Sequence, residues 1–397
     1  MSVSFSPWVR VVERSLSALL LAVLALFLMP SLPAQADPRS VHLLTSIPFS
    51  TSSFDISWVE QETGRYFLAD SGNNAVDWFD ARTTDPNAFL VRQLGQGTFA
   101  GSGTAACKAA AASPFDCGGP NGVVTDNFHR VWAGDSPTNT DPQSSVAVLS
   151  TSPPFSEQVI NTGGKFRSDE LSFDTRDHIV LIANPADGFL TWIDTQTLTV
   201  VGKFYYDGNA DGQPATIPGH VADQGLEQSV YDPSTGLFYQ SVPGHGIDVF
   251  KPVPLNGIGQ LVASFGTPGC TGGPTGLTLA AHHDLIGACT NGGVVVDART
   301  GQLDTLIPNV GGADEVWFNR SDGNVYFAII QVVSTSPLDI PGTLGVASGT
   351  RDTFVTTLPS GMIAHSVAAY EANDHIFVPT TDKGIEIFTT RRGDRDS

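Results

Sequence analysis

A unit of short apolar strands recurs along this chain at intervals of roughly 50 residues, and no other feature limits the fold as tightly. Seven stretches open the units: "FDISWVE", "PNGVVTD", "SDELSFD", "LEQSVYD", "PTGLTLA", "ADEVWFN" and "AHSVAAY". Each leads within a few residues to a second strand, such as "RYFLAD", "RVWAGD" or "IVLIAN". In at least five units a polar or Gly-rich turn then gives a third strand, as in "AVDWFD" or "GIEIF". Short strands at this period, separated by Gly, Pro, Asn and Asp, are the mark of a β-propeller. Their apolar residues fall on both faces, as they must where each sheet is packed between two others. The expectation is an all-β chain: a seven-bladed β-propeller of four-stranded antiparallel blades. It forms one domain over residues 37–390, and the early strand "SVHLLTSI" completes the last blade.

The first 36 residues stand outside the repeat. Arg10 and Arg14 precede the apolar run "SLSALLLAVLALFLM", and "PAQA" offers small residues at Ala34 and Ala36. This reads as a signal peptide cleaved before Asp37, so the expected location is periplasmic or secreted, with no membrane attachment after cleavage. The tail "RRGDRDS", residues 391–397, reads as a solvated end. The formal net charge is −20, which repels phosphate backbones and anionic headgroups and speaks against nucleic-acid binding. A soluble monomer follows. Four cysteines fall as two local pairs, Cys107/Cys117 and Cys270/Cys289, expected as disulfides in an oxidising compartment.

The second residue of each opening stretch is Asp55, Asn121, Asp169, Glu227, Thr275, Asp314 or His365. In a propeller the first strand of every blade is innermost, so these seven converge on the central channel at one face. Four carboxylates there repel one another, which raises some pKa values or draws in a cation. Carboxylates with an Asn carbonyl suit Ca²⁺ or Mg²⁺, with Asn121, Asp169, Glu227 and Asp314 as ligands. Glu170, Gln228 and Glu315, one residue further in, are the alternative inward groups. His220 and His245 fall in loops toward the same face and read individually as exposed loop residues. His129, His178, His282, His283 and His375 fall toward the opposite face and carry no assigned role. The loop "DGNADG" (Asp207, Asn209, Asp211, Gly212) starts like a calcium loop but has Pro218 where the closing Glu belongs, so it reads as a polar turn. The insertion at 95–119, stapled by its cysteines, is a candidate lid over the channel mouth or a decoration.

The stretch "ETGRYFLADSGNNAVDWFDART" resembles the YVTN and YncE-like seven-bladed propellers of exported bacterial proteins. The blade starts, with Asn121-Gly122 among them, resemble the senescence-marker-protein/gluconolactonase superfamily. That second resemblance implies metal ligands at blade starts, at the positions of Asn121, Asp169, Glu227 and Asp314. Its typical members have six blades where this chain has seven, and "FDISW" replaces their acidic first-blade motif. The expected function is metal-assisted hydrolysis or lysis of a small organic substrate of lactone or ester type, with His365 or Asp55 moving the proton. The alternative is a non-catalytic binding or scaffold propeller of the cell envelope, with a protein partner there.

Overall fold

A computed structural model describes residues 40–210, 212–330 and 341–390. The segment read as a signal peptide, the tail 391–397 and Asp211 lie outside the described residues. Seven four-stranded antiparallel sheets follow one another along the chain. Blade 1 covers residues 57–94, blade 2 residues 123–161, blade 3 residues 171–205 and blade 4 residues 229–265. Blade 5 covers 277–307 and blade 6 covers 313–362. Blade 7 takes three strands from residues 368–389, and its outermost strand is His42–Ile47, paired antiparallel with Gly384–Thr389. The early strand therefore closes the ring, as its sequence suggested.

Local chemistry turns the inner hairpins. Asp126, Asp174, Asp232 and Asn319 stand at or just after the end of a first strand. Each side chain accepts the backbone N–H two residues on, from Phe128, Arg176, Ser234 and Ser321. An Asx residue held this way reproduces a backbone turn and ends the strand. Helix is confined to short pieces. One is Ala105–Ala110 in the alanine-rich insertion, where the Thr104 side chain accepts the Cys107 N–H and caps the first turn. Both expected disulfides, Cys107–Cys117 and Cys270–Cys289, are formed. They suit a non-reducing environment. No helix among the described residues is long and apolar enough to cross a membrane.

The core is divided. Its buried residues fall into seven clusters, and each cluster lies between two adjacent blades. The strand Ile179–Asn184 shows how one sequence serves two of them. Ile179, Leu181 and Ala183 pack toward blade 4, while Val180 and Ile182 pack toward blade 2. Side chains alternate across a strand, so burial on both faces demands an unbroken apolar run. Blades 7 and 1 meet in the same way through stacked Tyr66, Phe79, Phe89 and Phe377.

Near the axis the blades approach backbone to backbone. A Cβ built on Gly122 would stand 2.1 Å from the Asp169 carbonyl oxygen, and one on Gly276 would stand 2.4 Å from that of Asp314. Glycine is therefore required where blade 2 meets blade 3 and where blade 5 meets blade 6. We expect Gly122→Ala to lower unfolding free energy by about 1–3 kcal/mol in urea titration, the usual penalty of overpacking. Gly266→Ala, where an added Cβ meets nothing within 4 Å, is the near-neutral control.

Candidate functional site

Hydrogen bonding verifies the alignment of the channel positions. The N–H groups of Asp55, Asn121, Asp169, Glu227 and Thr275 donate to the carbonyls of Ala69, Gly134, Ala183, Ser241 and Ala288, at 2.9–3.1 Å. Those five second-strand residues return their own N–H groups to Ile56, Gly122, Glu170, Gln228 and Gly276. The same two-bond pattern in five blades places the five residues at one structural position. Asp314 sits inside its strand at a bulge, and the His365 N–H turns back to the Ile363 carbonyl.

Two of the seven side chains hydrogen-bond to the backbone of the next blade. Asn121 Nδ2 donates to the Gly118 and Ser168 carbonyls at 3.0 and 3.2 Å. Thr275 Oγ1 donates to the Ala313 carbonyl at 2.9 Å. In both cases the bond reaches the residue just before the next blade's channel position.

Arg167, which precedes blade 3, organises the charged members. Its Nη1 lies 3.2 Å from Asp55 Oδ2, and its Nη2 lies 2.9 Å from Asp169 Oδ2, so one guanidinium bridges blades 1 and 3. The insertion holds it there: the Arg167 N–H donates to the Asp116 carbonyl at 2.8 Å, next to the Cys107–Cys117 bridge. His365 Nε2 stands 3.6 Å from Asp55 Oδ1, and its ring stacks on Phe54 with centroids 4.8 Å apart. Arg167 Nε and Asp169 Oδ1 are buried without a hydrogen-bond partner.

Burial and charge divide these acids into two kinds. Burial pushes Asp55 up, but the hydrogen bond to His365 and the charges of Arg167 and His365 outweigh it, and Asp55 ends below its ordinary value. Burial lowers His365, but Asp55, with Asp314 behind it, reverses this and holds the imidazole above its ordinary value. Burial raises Asp169 to about 7 against the pull of Arg167. Burial likewise raises Glu227 and Asp314. Glu170 and Glu315, one residue further in, are buried. Burial, with the negative charge of Glu315 nearby, pushes Glu170 well up; burial, with Asp314 nearby, does the same to Glu315.

Of the four side chains read as ligands for Ca²⁺ or Mg²⁺, Asn121 donates its amide hydrogens to the Gly118 and Ser168 carbonyls, and Asp169 pairs with the Arg167 guanidinium, whose charge opposes a nearby dication. Among the described residues, one group of three His, Cys, Asp or Glu side chains brings its ligand atoms within 4.8 Å of one another, and it lies elsewhere: His220, His245 and Asp248. The calcium-like loop is a polar turn, in which Asp207 accepts the N–H groups of Gly208 and Gly219. From the opposite face opens a cavity of about 440 Å³, lined by Trp58, Phe173, Leu279 and Trp317 from four blades, with polar residues such as Glu60, Gln228 and Arg320 among them.

Sequence reasoning passed over Arg167 and Asp248. A signal for the first exists. Two residues before the channel position the other six blades carry Ser53, Gly119, Gly225, Gly273, Gly312 and Ile363, and blade 3 alone carries a cation. Asp248 reads as one polar residue within the strand "GIDVF", and its partners come from another loop and another blade.

No family model matches the chain, and no curated protein matches its sequence. The solved structures that it resembles include the WD40 β-propeller domain of Doa1, with a TM-score of 0.61 at 14% identity. That match covers 89% of this chain and 98% of the other. Likeness at that identity supports the seven-bladed propeller and nothing finer, since the fold serves unrelated functions.

A pH dependence of stability follows from the buried acids. Asp77, Asp135 and Asp169 are raised to about 9, 8 and 7, in each case by burial first. Between the ordinary carboxylate range and those values the folded state holds more protons than the unfolded one, so stability falls as pH rises. His365, also raised, acts in the same direction as pH passes its folded value. We expect Tm in calorimetry to fall steadily from pH 5 to pH 9, and Asp135→Asn to flatten that slope.

Proposed function

We propose that this is an exported hydrolase or lyase that takes a small organic substrate at the Arg167 end of the channel. The reading rests on one observation: a guanidinium shared by Asp55 and Asp169, with Arg167 Nε and Asp169 Oδ1 buried and unpartnered beside it. Buried polar atoms without partners are costly, and a polar ligand that bonds them removes the cost. Arg167 supplies a fixed positive charge for a carbonyl or carboxylate oxygen of the substrate. His365, whose imidazole Asp55 holds above its ordinary value, is the proton donor to a leaving oxygen, and Asp55 keeps the ring oriented. Asp169, raised to about 7, is the acid in the cluster whose proton can be exchanged near neutrality. In this reading the guanidinium takes the electrostatic role expected of a divalent ion. Asn121 positions blade 3, while the Glu227 and Asp314 carboxyls stand near Arg167 and His365.

A second reading, a non-catalytic binding propeller, is favoured by the aromatic-lined cavity at the opposite mouth. It accommodates an apolar ligand and needs no acid–base group.

Turnover of a panel of lactones and esters, compared between the native protein and variants, separates the two. His365→Gln is expected to lower kcat/KM by about 10²–10⁴-fold. It should also abolish the decline in rate as pH rises through the folded value of His365. Arg167→Met is expected to raise KM and lower kcat together, with Arg167→Lys recovering part of the loss. Wild-type turnover by both His365→Gln and Arg167→Met would overturn the catalytic reading. No turnover of any substrate, with apolar ligands raising Tm in a manner sensitive to Trp317→Ala, would favour the binding reading.

A further inference from the structure

We propose that His220, His245 and Asp248 form a solvent-open binding site for a divalent ion of the zinc class, on blade 4 and separate from the Arg167 cluster. The three come from two segments, a connecting loop and one hairpin. His220 lies in the long connection from blade 3 to blade 4, where its carbonyl accepts the Asp207 N–H at 2.6 Å and its N–H donates to the Ile217 carbonyl at 3.1 Å. His245 stands in the turn between the strands Leu237–Val242 and Gly246–Phe250, and Asp248 lies in the second of those strands. The segments converge. His220 Nε2 is 2.7 Å from Asp248 Oδ2, His245 Nε2 is 3.6 Å from Asp248 Oδ1, and all three ligand atoms lie within 4.8 Å of one another.

These separations are near those an ion would impose. A tetrahedral zinc ion with bonds of about 2.0–2.2 Å holds neighbouring donors roughly 3.3–3.6 Å apart. The observed 2.7 and 3.6 Å, measured to the two oxygens of Asp248, bracket that spacing, and rotation of the exposed His245 side chain can bring the three donors onto one ion. Two imidazole nitrogens with one carboxylate oxygen select zinc and its first-row neighbours over Ca²⁺ and Mg²⁺, which want oxygen alone.

The surroundings are those of a supported ligand set. Asp248 is fully buried, and its remaining hydrogen bonds come from hydroxyls: Tyr206 Oη to Oδ2 at 2.8 Å and Ser264 Oγ to Oδ1 at 2.6 Å. Neutral donors orient the carboxylate and leave its charge for a cation, as outer-shell groups do at metal centres. Tyr206 also stacks on His220 with centroids 5.2 Å apart and fixes its ring plane. The His245 ring meets that of His220 edge-on at 5.0 Å and is exposed, so the fourth coordination position opens to solvent. Three protein ligands with one open position describe an exchangeable site rather than a closed structural one.

The test is titration of the purified, chelator-treated protein with zinc chloride in the presence of excess calcium chloride, followed by calorimetry. Cobalt(II) loading is followed by visible absorption. The expected result is one equivalent of zinc, with cobalt bands typical of four-coordination that zinc displaces. His245→Gln removes an exposed ligand at a turn and should abolish stoichiometric binding while leaving the metal-free Tm unchanged. Tyr206→Phe keeps the stacked ring, deletes the hydroxyl, and should weaken binding by about 10–100-fold. Arg167→Met should bind zinc as the native protein does, so failure of this proposal and failure of the catalytic reading are distinguishable. Absence of zinc heat and cobalt bands, or binding undiminished in His220→Gln/His245→Gln, would overturn it.

Discussion

Every blade of this propeller buries both faces of its sheet, and that requirement shapes everything else. A sheet with one wet face can stand with a single partner, but these sheets need two neighbours each. A row of such sheets always leaves two outer faces exposed, and only a ring removes both. The seven inter-blade clusters are the physical form of that closure. They also explain why the strands read as continuous apolar runs rather than alternating ones.

Closing the ring brings seven first strands to one axis, and there the chemistry changes sign. Apolar residues cannot satisfy the backbone groups where strands begin, so the axis is lined with side chains that hydrogen-bond. Asn121 and Thr275 do this work by reaching the next blade's backbone. The charged members need more. Carboxylates removed from water are stable when paired, hydrogen-bonded or protonated. Pairing dominates here: Asp55 and Asp169 pair with Arg167, and His365 sits against Asp55, while burial holds Glu170 and Glu315 well above the ordinary carboxylate range.

The repeat made the architecture readable, because period and two-faced burial are both written in the local sequence. The channel positions were readable for the same reason, and the shared hydrogen-bond pattern of Asp55, Asn121, Asp169, Glu227 and Thr275 bears out their alignment. What could not be read was anything that depends on two distant segments meeting. Arg167 belongs to a connector, and its place is set by a carbonyl in an insertion some fifty residues earlier. His220 and His245 look idle as single loop residues and acquire meaning only through Asp248, a buried carboxylate in a strand that otherwise reads as core. Registers internal to a repeat are local facts; clusters between repeats are not.

The strand that completes blade 7 is among the first made, and the strand it pairs with is among the last. During synthesis the strand His42–Ile47 therefore stays unpaired until residues 384–389 have emerged. It cannot find its partner earlier, because the partner does not yet exist. A product cut short before blade 7 leaves that strand without its partner and two apolar blade faces uncovered, features that proteases and chaperones recognise.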